Sequence, residues 1–428
     1  MRLLFSLLVL SSLSGSINAQ WTEQTSGVSI PLTSVCAVMG SGPCGWICGY
    51  NGTVLRTTNA GTNWVSVGIN GIPLTCQLQN ITAFDGGTAL TTGNIGTTSY
   101  VFRTTNGGSN WSQVFTQANG QINAIWMSLN FFGKCFMEGN PVGGRWSLWR
   151  TSNSGASWDS TGLYLPQSGN ETGWSNSLTA NSSNFWFGTT NSRIYFSSDT
   201  GHSWSVQQTS PLTNVQSIWM GSLGIGGLAY GQDFIKTTNN GINWVSTGTI
   251  GTGFYAGITG VQFLPLQWLA RGNTIYMTTN LGVNWIVQST APTGSYRSIS
   301  FISSNPSYVW AVRDNGGISM MYFSWGGIKK ISSNIPESYS LSQNYPNPFN
   351  PSTKIKFNLP LPTQGGAQEV RVVIYDIVGR EVATLVNEQL KPGSYEAVWD
   401  GSNYPSGVYF YKLTTDSFSE TKKMVLIK

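Results

Sequence analysis

One eight-residue phrase recurs six times in this 428-residue chain: TTNAGTNW (57–64), TTNGGSNW (104–111), TSNSGASW (151–158), SSDTGHSW (197–204), TTNNGINW (237–244) and TTNLGVNW (278–285). Successive tryptophans lie 47, 47, 46, 40 and 41 residues apart. A unit repeating at this period cannot bury its own faces alone and must stack on its neighbours, and the length of the period predicts the blades of a β-propeller.

The phrase reads as the turn of a β-hairpin. Alternating segments flank it, TVLR and WVSV around the first copy, RIYF and WSVQ around the fourth. Asn59, Asn106, Asn153, Asp199, Asn239 and Asn280 stand where a side-chain oxygen can accept backbone N–H groups inside the turn. The glycine two residues later can take positive φ. Trp64, Trp111, Trp158, Trp204, Trp244 and Trp285 open the outgoing strand and can wedge against the neighbouring hairpin. This Ser/Thr-x-Asp/Asn-x-Gly-x-x-Trp pattern resembles the Asp-box of sialidases, sortilin and related propellers, where the box sits on the outer part of the blade. The resemblance implies a propeller and is nearly silent about activity.

Each unit reads as four strands, as in VQSIWM, GIGGLAYG, FIKTTN and WVSTG. After the sixth box, residues 296–327 supply three strands and stop where a box would be completed. The missing outer strand has a counterpart at the other end: WTEQTSG (21–27) resembles the outer strands WSVQQTS and WIVQST. The expectation is seven blades, the last closed by the N-terminal strand, which removes two sheet edges.

Composition agrees: 51 glycines, 18 tryptophans and only 9% charged residues describe a turn-rich β protein rather than a helical one. The start, MRLLFSLLVLSSLSGSINA, has the basic, apolar and small-residue segments of a secretory signal peptide over residues 1–19, cut before Gln20. No later stretch approaches the ~20 apolar residues of a membrane helix, so no membrane span is expected. Residues 20–336 carry 12 Lys and Arg against 8 Asp and Glu, and 337–428 carry 9 against 9, a balance without the basic cluster of a nucleic-acid binder. Export permits disulfides, and Cys36, Cys44, Cys48 and Cys76 crowd into one stretch. A link among these four is expected, with Cys36 near Cys48 and Cys44 able to reach Cys76, the connectivity staying open. Cys135 reads as a buried small hydrophobe, and a single histidine leaves no zinc cluster, metal site or cofactor site to propose.

The character changes near residue 335, where a Pro- and Asn-rich stretch leads into alternating strands with denser charge. VRVVIYDIVGREVATLV reads as a hairpin turning at Val378-Gly379, two more strands join through Asp400-Gly401, and ETKKMVLIK ends the chain as an edge strand. The motifs NYPNPFNP, YDIVGREV, WDG, PSGVYFYKL and KKMVLIK resemble, in order, the type A C-terminal sorting domain of the type IX secretion system of Bacteroidota. The resemblance covers about 341–428, puts Gly379, Arg380, Gly407, Lys422 and Lys423 in the sorting signal, and implies passage through the periplasm, recognition by the outer-membrane translocon and removal of the tail by a sortase. The fold class is thus all-β: a seven-bladed propeller (20–331), a linker (332–341) and a small Ig-like antiparallel sandwich (342–428), in a monomer.

Catalysis finds little footing. A sialidase-like site needs three arginines, a Tyr–Glu nucleophile and usually an Arg-Ile-Pro; the last is absent, and the propeller holds only Glu23, Glu138 and Glu171. Asp199 belongs to a box and Asp159 follows one, while Asp85, Asp233 and Asp314 fall in expected turns. His202 lies inside the fourth box. The residue three before each box Asn or Asp is Arg56, Arg103, Arg150, Phe196, Lys236 and Met277. The three arginines, with Lys236, can form an arc that binds a protein or glycan partner, or can lie over tryptophan edges. The propeller also resembles the assembly-factor family that helps build photosystem II, whose arginines form a binding patch. The sequence therefore reads as an exported, non-catalytic binding or scaffold protein; the alternative is a secreted glycoside hydrolase of the Asp-box type.

Overall fold

The computed structural model describes residues 21–427 apart from 40–41, 128–132, 182, 211, 222–225, 232, 263, 305–306, 324–326, 363–365 and 402–403, and no helix forms among them. The expected signal peptide lies outside the described residues. The chain divides into two units, one drawn from residues 19–322 and one from Phe323–Lys428.

In the first unit the described residues form seven antiparallel sheets. Their first strands are Leu32–Met39, Gln77–Ala83, Ile122–Met127, Gly173–Asn181, Ser217–Met220, Tyr255–Gly260 and Tyr296–Ile302, and each packs beside the next, the seventh beside the first. Five sheets are consecutive four-strand meanders. The seventh takes its outer strand from the chain start, Thr22–Gln24 pairing antiparallel with Ile318–Phe323. Glu23 reaches Arg313, which is only 3% exposed, and accepts from Ser319 Oγ at 2.6 Å. The third sheet departs from the pattern. Its strands Ile122–Met127, Cys135–Val142 and Arg145–Thr151 are followed by two isolated bridges, Arg145 with Pro166 and Arg150 with Asp159, instead of a fourth strand.

The boxes fold by one scheme. Asn59 Oδ1 accepts from the Asn63 N–H at 3.0 Å, and the Thr57 hydroxyl donates to Asn59 Oδ1 at 2.9 Å while accepting from the Gly61 N–H at 2.9 Å. The same bonds recur at Asn106, Asn153, Asp199, Asn239 and Asn280. The glycines at 61, 108, 155, 201, 241 and 282 have φ between 75° and 89°, and so, less expectedly, the residue before each is also left-handed, from Leu281 at 53° to Gly107 at 72°. At Ala60, Gly107, Ser154 and Asn240 that conformation turns the carbonyl out of the hairpin toward the neighbouring blade.

The disulfide expectation is corrected: all five cysteines are free thiols. Cys36 lies directly across from Trp46, and Ser34 across from Cys48, so Cys36 and Cys48 are diagonal neighbours at roughly 7–8 Å, too far to bridge. Cys44 touches the Asp85–Gly86 end of the sheet, while Cys76 lies against Gly93 and Gly52 at the other end. Burial pushes Cys48 and Cys135 up to about 12, and Cys36 and Cys76 up to about 11.

The second unit is two four-stranded antiparallel sheets around one core that includes Phe349, Phe357, Tyr395, Trp399, Tyr411 and Met424. One boundary differs from the sequence reading. Gly327–Ser332, all but its last residue assigned above to the propeller, pairs with Gly393–Asp400 in the sandwich, and Ser340–Leu341, placed at the end of the linker, pairs with Ser352–Leu359. The reason is packing: Ile328 and Leu341 are both buried in the sandwich core.

Candidate functional site

The three arginines point out of their own sheets at the next box. Arg56 Nη1 donates to the Gly107 carbonyl at 3.5 Å, and Arg103 Nε donates to the Ser154 carbonyl at 2.7 Å. Both acceptors are the left-handed residue of the following box. Glutamines on outer strands do the same elsewhere: Gln24 donates to the Ala60 carbonyl at 3.0 Å and Gln207 to the Asn240 carbonyl at 2.9 Å. Their Oε1 atoms accept from Trp64 and Trp244 Nε1, and a Cβ on Gly61 or Gly241 would run into them. Four successive-blade contacts thus share one latch, in which a side chain of one blade holds the turned-out box carbonyl of the next. Arg56 also lies over the Trp46 ring, 5.4 Å from its centre. Lys236 makes no such bond among the described residues, so the structure does not bring the four cations together as one open arc.

Arg150 extends the series with different chemistry. Its Nη1 is 2.6 Å from His202 Nε2, and its Nη2 donates to the Thr161 carbonyl at 3.0 Å and lies 3.5 Å from Asp159. A guanidinium only donates, so Nε2 accepts and His202 Nδ1 donates to the Asp199 carbonyl at 2.7 Å. Where the third blade lacks its outer strand, a recess of about 470 Å³ opens beside this arginine. Phe136 and Phe185 form its buried floor, half-buried Trp126 and Trp158 its aromatic walls, and Arg150, Asp159, Asn153 and Ser157 its polar margin. The buried indole N–H groups of Trp158 and Trp285 have no acceptor among the described residues, whereas those of Trp64, Trp111, Trp204 and Trp244 do.

The axis is occupied differently. A bulge in Gly173–Asn181 puts Asn176 at φ 65°, where its Oδ1 accepts from Asn80 Nδ2 at 2.5 Å and Ser34 Oγ at 3.4 Å, while Asn80 Oδ1 accepts from the Ile125 N–H at 3.2 Å. Hydrogen bonds therefore join the innermost strands of four blades. Asp85 and Asp314 serve loops: Asp85 Oδ1 accepts from Gly87 and Thr88 N–H, and Asp314 accepts from the Ser295 N–H and pairs with Arg297.

Two acidic residues are more buried than the sequence suggests. Tyr195 donates to Glu171 Oε1 at 2.5 Å, with Arg193 3.4 Å from Oε2. Burial, with Glu171 beside it, pushes the phenol up to about 12, the opposite of what an activated nucleophile requires, and its ring packs among Trp146 and Phe187. Glu138 is fully buried, accepts from Asn123 Nδ2 at 2.9 Å, and is pushed by desolvation up to about 8. Neither was marked by spacing, since each is an isolated acid in an apolar strand or loop. Among the described residues no three His, Cys, Asp or Glu side chains gather as metal ligands.

In the sandwich, Gly379 and Arg380 lie at an exposed hairpin turn, Gly407 opens an inner strand, and Lys422 and Lys423 lie on the edge strand Ser419–Leu426. Residues 343–428 match the family model described as a secretion system C-terminal sorting domain, and residues 18–130 that of the photosystem II assembly factor YCF48. The chain is a β-propeller with a type IX sorting tail. Solved structures agree in fold. A propeller titled YCF48 bound to D1 peptide is 15% identical with a TM-score of 0.54, over 71% of this chain and 96% of that one. YCF48 from Cyanidioschyzon merolae is 16% identical with a TM-score of 0.52, over 71% and 98%. No curated protein matches the chain. The sorting tail makes it a protein exported to the cell surface or medium.

Proposed function

We propose that this exported propeller is non-catalytic and binds a segment of a protein partner in the recess between its third and fourth blades. The recess carries the reading: it is concave, of ligand-pocket size, walled by two half-buried tryptophans and edged by Arg150, Asp159, Asn153 and Ser157. The peptide bound in the YCF48 structure lends support from a protein of the same fold. Arg56 and Arg103, already bonded to the next box, contribute by holding the ring; Arg150 faces the partner. Delivery runs through the periplasm to the translocon, with the tail removed by a sortase.

One observation favours hydrolysis, the Tyr195–Glu171–Arg193 group, which has the residue types of a sialidase nucleophile. Its raised phenol and aromatic surroundings favour a structural role instead.

The test is affinity capture on the outer cell surface with the wild-type propeller and a Trp126→Ala/Trp158→Ala variant. A partner held by the wild type and lost at least tenfold by the variant, with unchanged melting, supports the reading; equal retention overturns it. Hydrolysis of a chromogenic or natural glycan, abolished by changing Asp85, Asp233, Asp314 or Tyr195, would replace it with the glycosidase.

A further inference from the structure

The sandwich exposes one pair of adjacent large hydrophobic residues. Ile377 is 74% and Val378 69% exposed, and no other two sequence neighbours among its described residues are both so bare. They form the tip of the hairpin between Gln368–Tyr375 and Glu381–Leu390. The turn beneath them is tightly built. The Asp376 N–H donates to the Arg380 carbonyl, and the Gly379 N–H donates to the Asp376 carbonyl, both at 3.0 Å. Gly379 takes φ 80°. Asp376 Oδ1 accepts from the Val378 and Arg380 N–H groups at 3.0 and 2.9 Å, and the Arg380 guanidinium closes on Oδ2 at 2.7 Å.

Nothing in this turn needs aliphatic side chains at its two central positions. Such positions ordinarily take Pro, Asp, Asn, Ser or Gly, whose conformations or side-chain hydrogen bonds suit a turn, and β-branched residues bring no advantage there. The fold already has its core in Phe357, Trp399, Tyr411 and Met424, and neither Ile377 nor Val378 belongs to it. Two apolar side chains held in water on a rigid, pre-ordered loop lose little conformational freedom when another surface closes over them.

The geometry points to the Ile377–Val378 tip as the element that a receptor of the secretion machinery grips, in an apolar pocket wide enough for two branched side chains. Asp376, Gly379 and Arg380 then position the tip, and do not themselves make the main contact. This inference rests on the sorting role of the tail and names the part of it that is recognised.

The experiment uses the full-length chain in a host with a type IX system, measuring protein in medium and on the surface against protein kept inside. Ile377→Asp/Val378→Asp should leave the melting curve of the purified protein unchanged and cut export at least tenfold, while Ile377→Leu/Val378→Leu should be exported normally. Ile377→Ser/Val378→Ser carries the same expectation if the Asp pair melts differently. Export of the Asp or Ser variant at the wild-type level overturns the inference. A chain lacking 327–428 separates the two readings: if it stays inside while the tip variants are exported, only the tip proposal fails, and if it is exported too, the sorting role itself fails.

Discussion

The Asp-box turns of the propeller and the 376–380 turn of the sandwich are built from the same chemistry and put to opposite uses. In each, an Asx oxygen gathers backbone N–H groups and a glycine takes positive φ. In the propeller the outward carbonyl of the turn is taken by the neighbouring blade, through Arg56, Arg103, Gln24 or Gln207. In the sandwich the tip carries two exposed aliphatic side chains. A turn motif thus reports its job through what covers it, and residues such as Arg56 and Arg103 are architecture where a neighbouring blade occupies them.

Breaking the ring tests the propeller side most severely. Removing residues 21–27 takes away the outer strand of the seventh sheet and leaves Arg313 buried without its carboxylate. The expected result is loss of the cooperative thermal transition; unchanged melting would refute the closure. Glu23→Ala alone should cost about 2–3 kcal/mol, below the ~3–5 kcal/mol of a wholly buried pair because Glu23 is half exposed.

The pH dependence should expose Glu138. Its carboxyl ionises near 4.5 when unfolded and near 8 in the folded protein. Between those values the folded state holds a proton the unfolded chain has lost, so stability falls as pH rises from about 4.5 to about 8 and then levels. Glu138→Gln should remove that slope, with a gain absent near pH 4 and greatest at pH 8 and above, at most about 4–5 kcal/mol. Parallel melting curves for the two proteins across this range would refute the buried acid.

A smaller effect separates latch from patch. Arg103→Ala should cost about 1.5–3 kcal/mol through the lost bond to Ser154, while Lys236→Ala should stay within about 0.5 kcal/mol. Equal and negligible losses at both sites, read by denaturant melts, would return Arg103 to the surface-patch reading.

The repeat made the hairpins, the box glycines and the closing strand legible, because each is a local pattern: Gln24 in WTEQTSG occupies the place of Gln207 in WSVQQTS and makes the same bond. The Ser/Thr hydroxyl of the box and its second left-handed residue were not, since they matter only once the chain has turned. The recess was invisible for a different reason. It arises where the third blade lacks an outer strand, and its lining joins Phe185 of the fourth blade to residues of the third, which only the fold brings together. The cysteine expectation failed on register, which places Trp46, and not Cys48, across from Cys36.

The account stands on the division of labour between a folded propeller and the tail that exports it. Its most direct test is to express the chain with and without residues 327–428 in a type IX host and to weigh the propeller in medium, surface and cell fractions. Without the tail, the propeller should remain inside the cell, protease-resistant and melting as the intact protein's propeller does, because the sandwich has a core of its own. Tail-less propeller reaching the surface or medium in normal amounts would contradict the account.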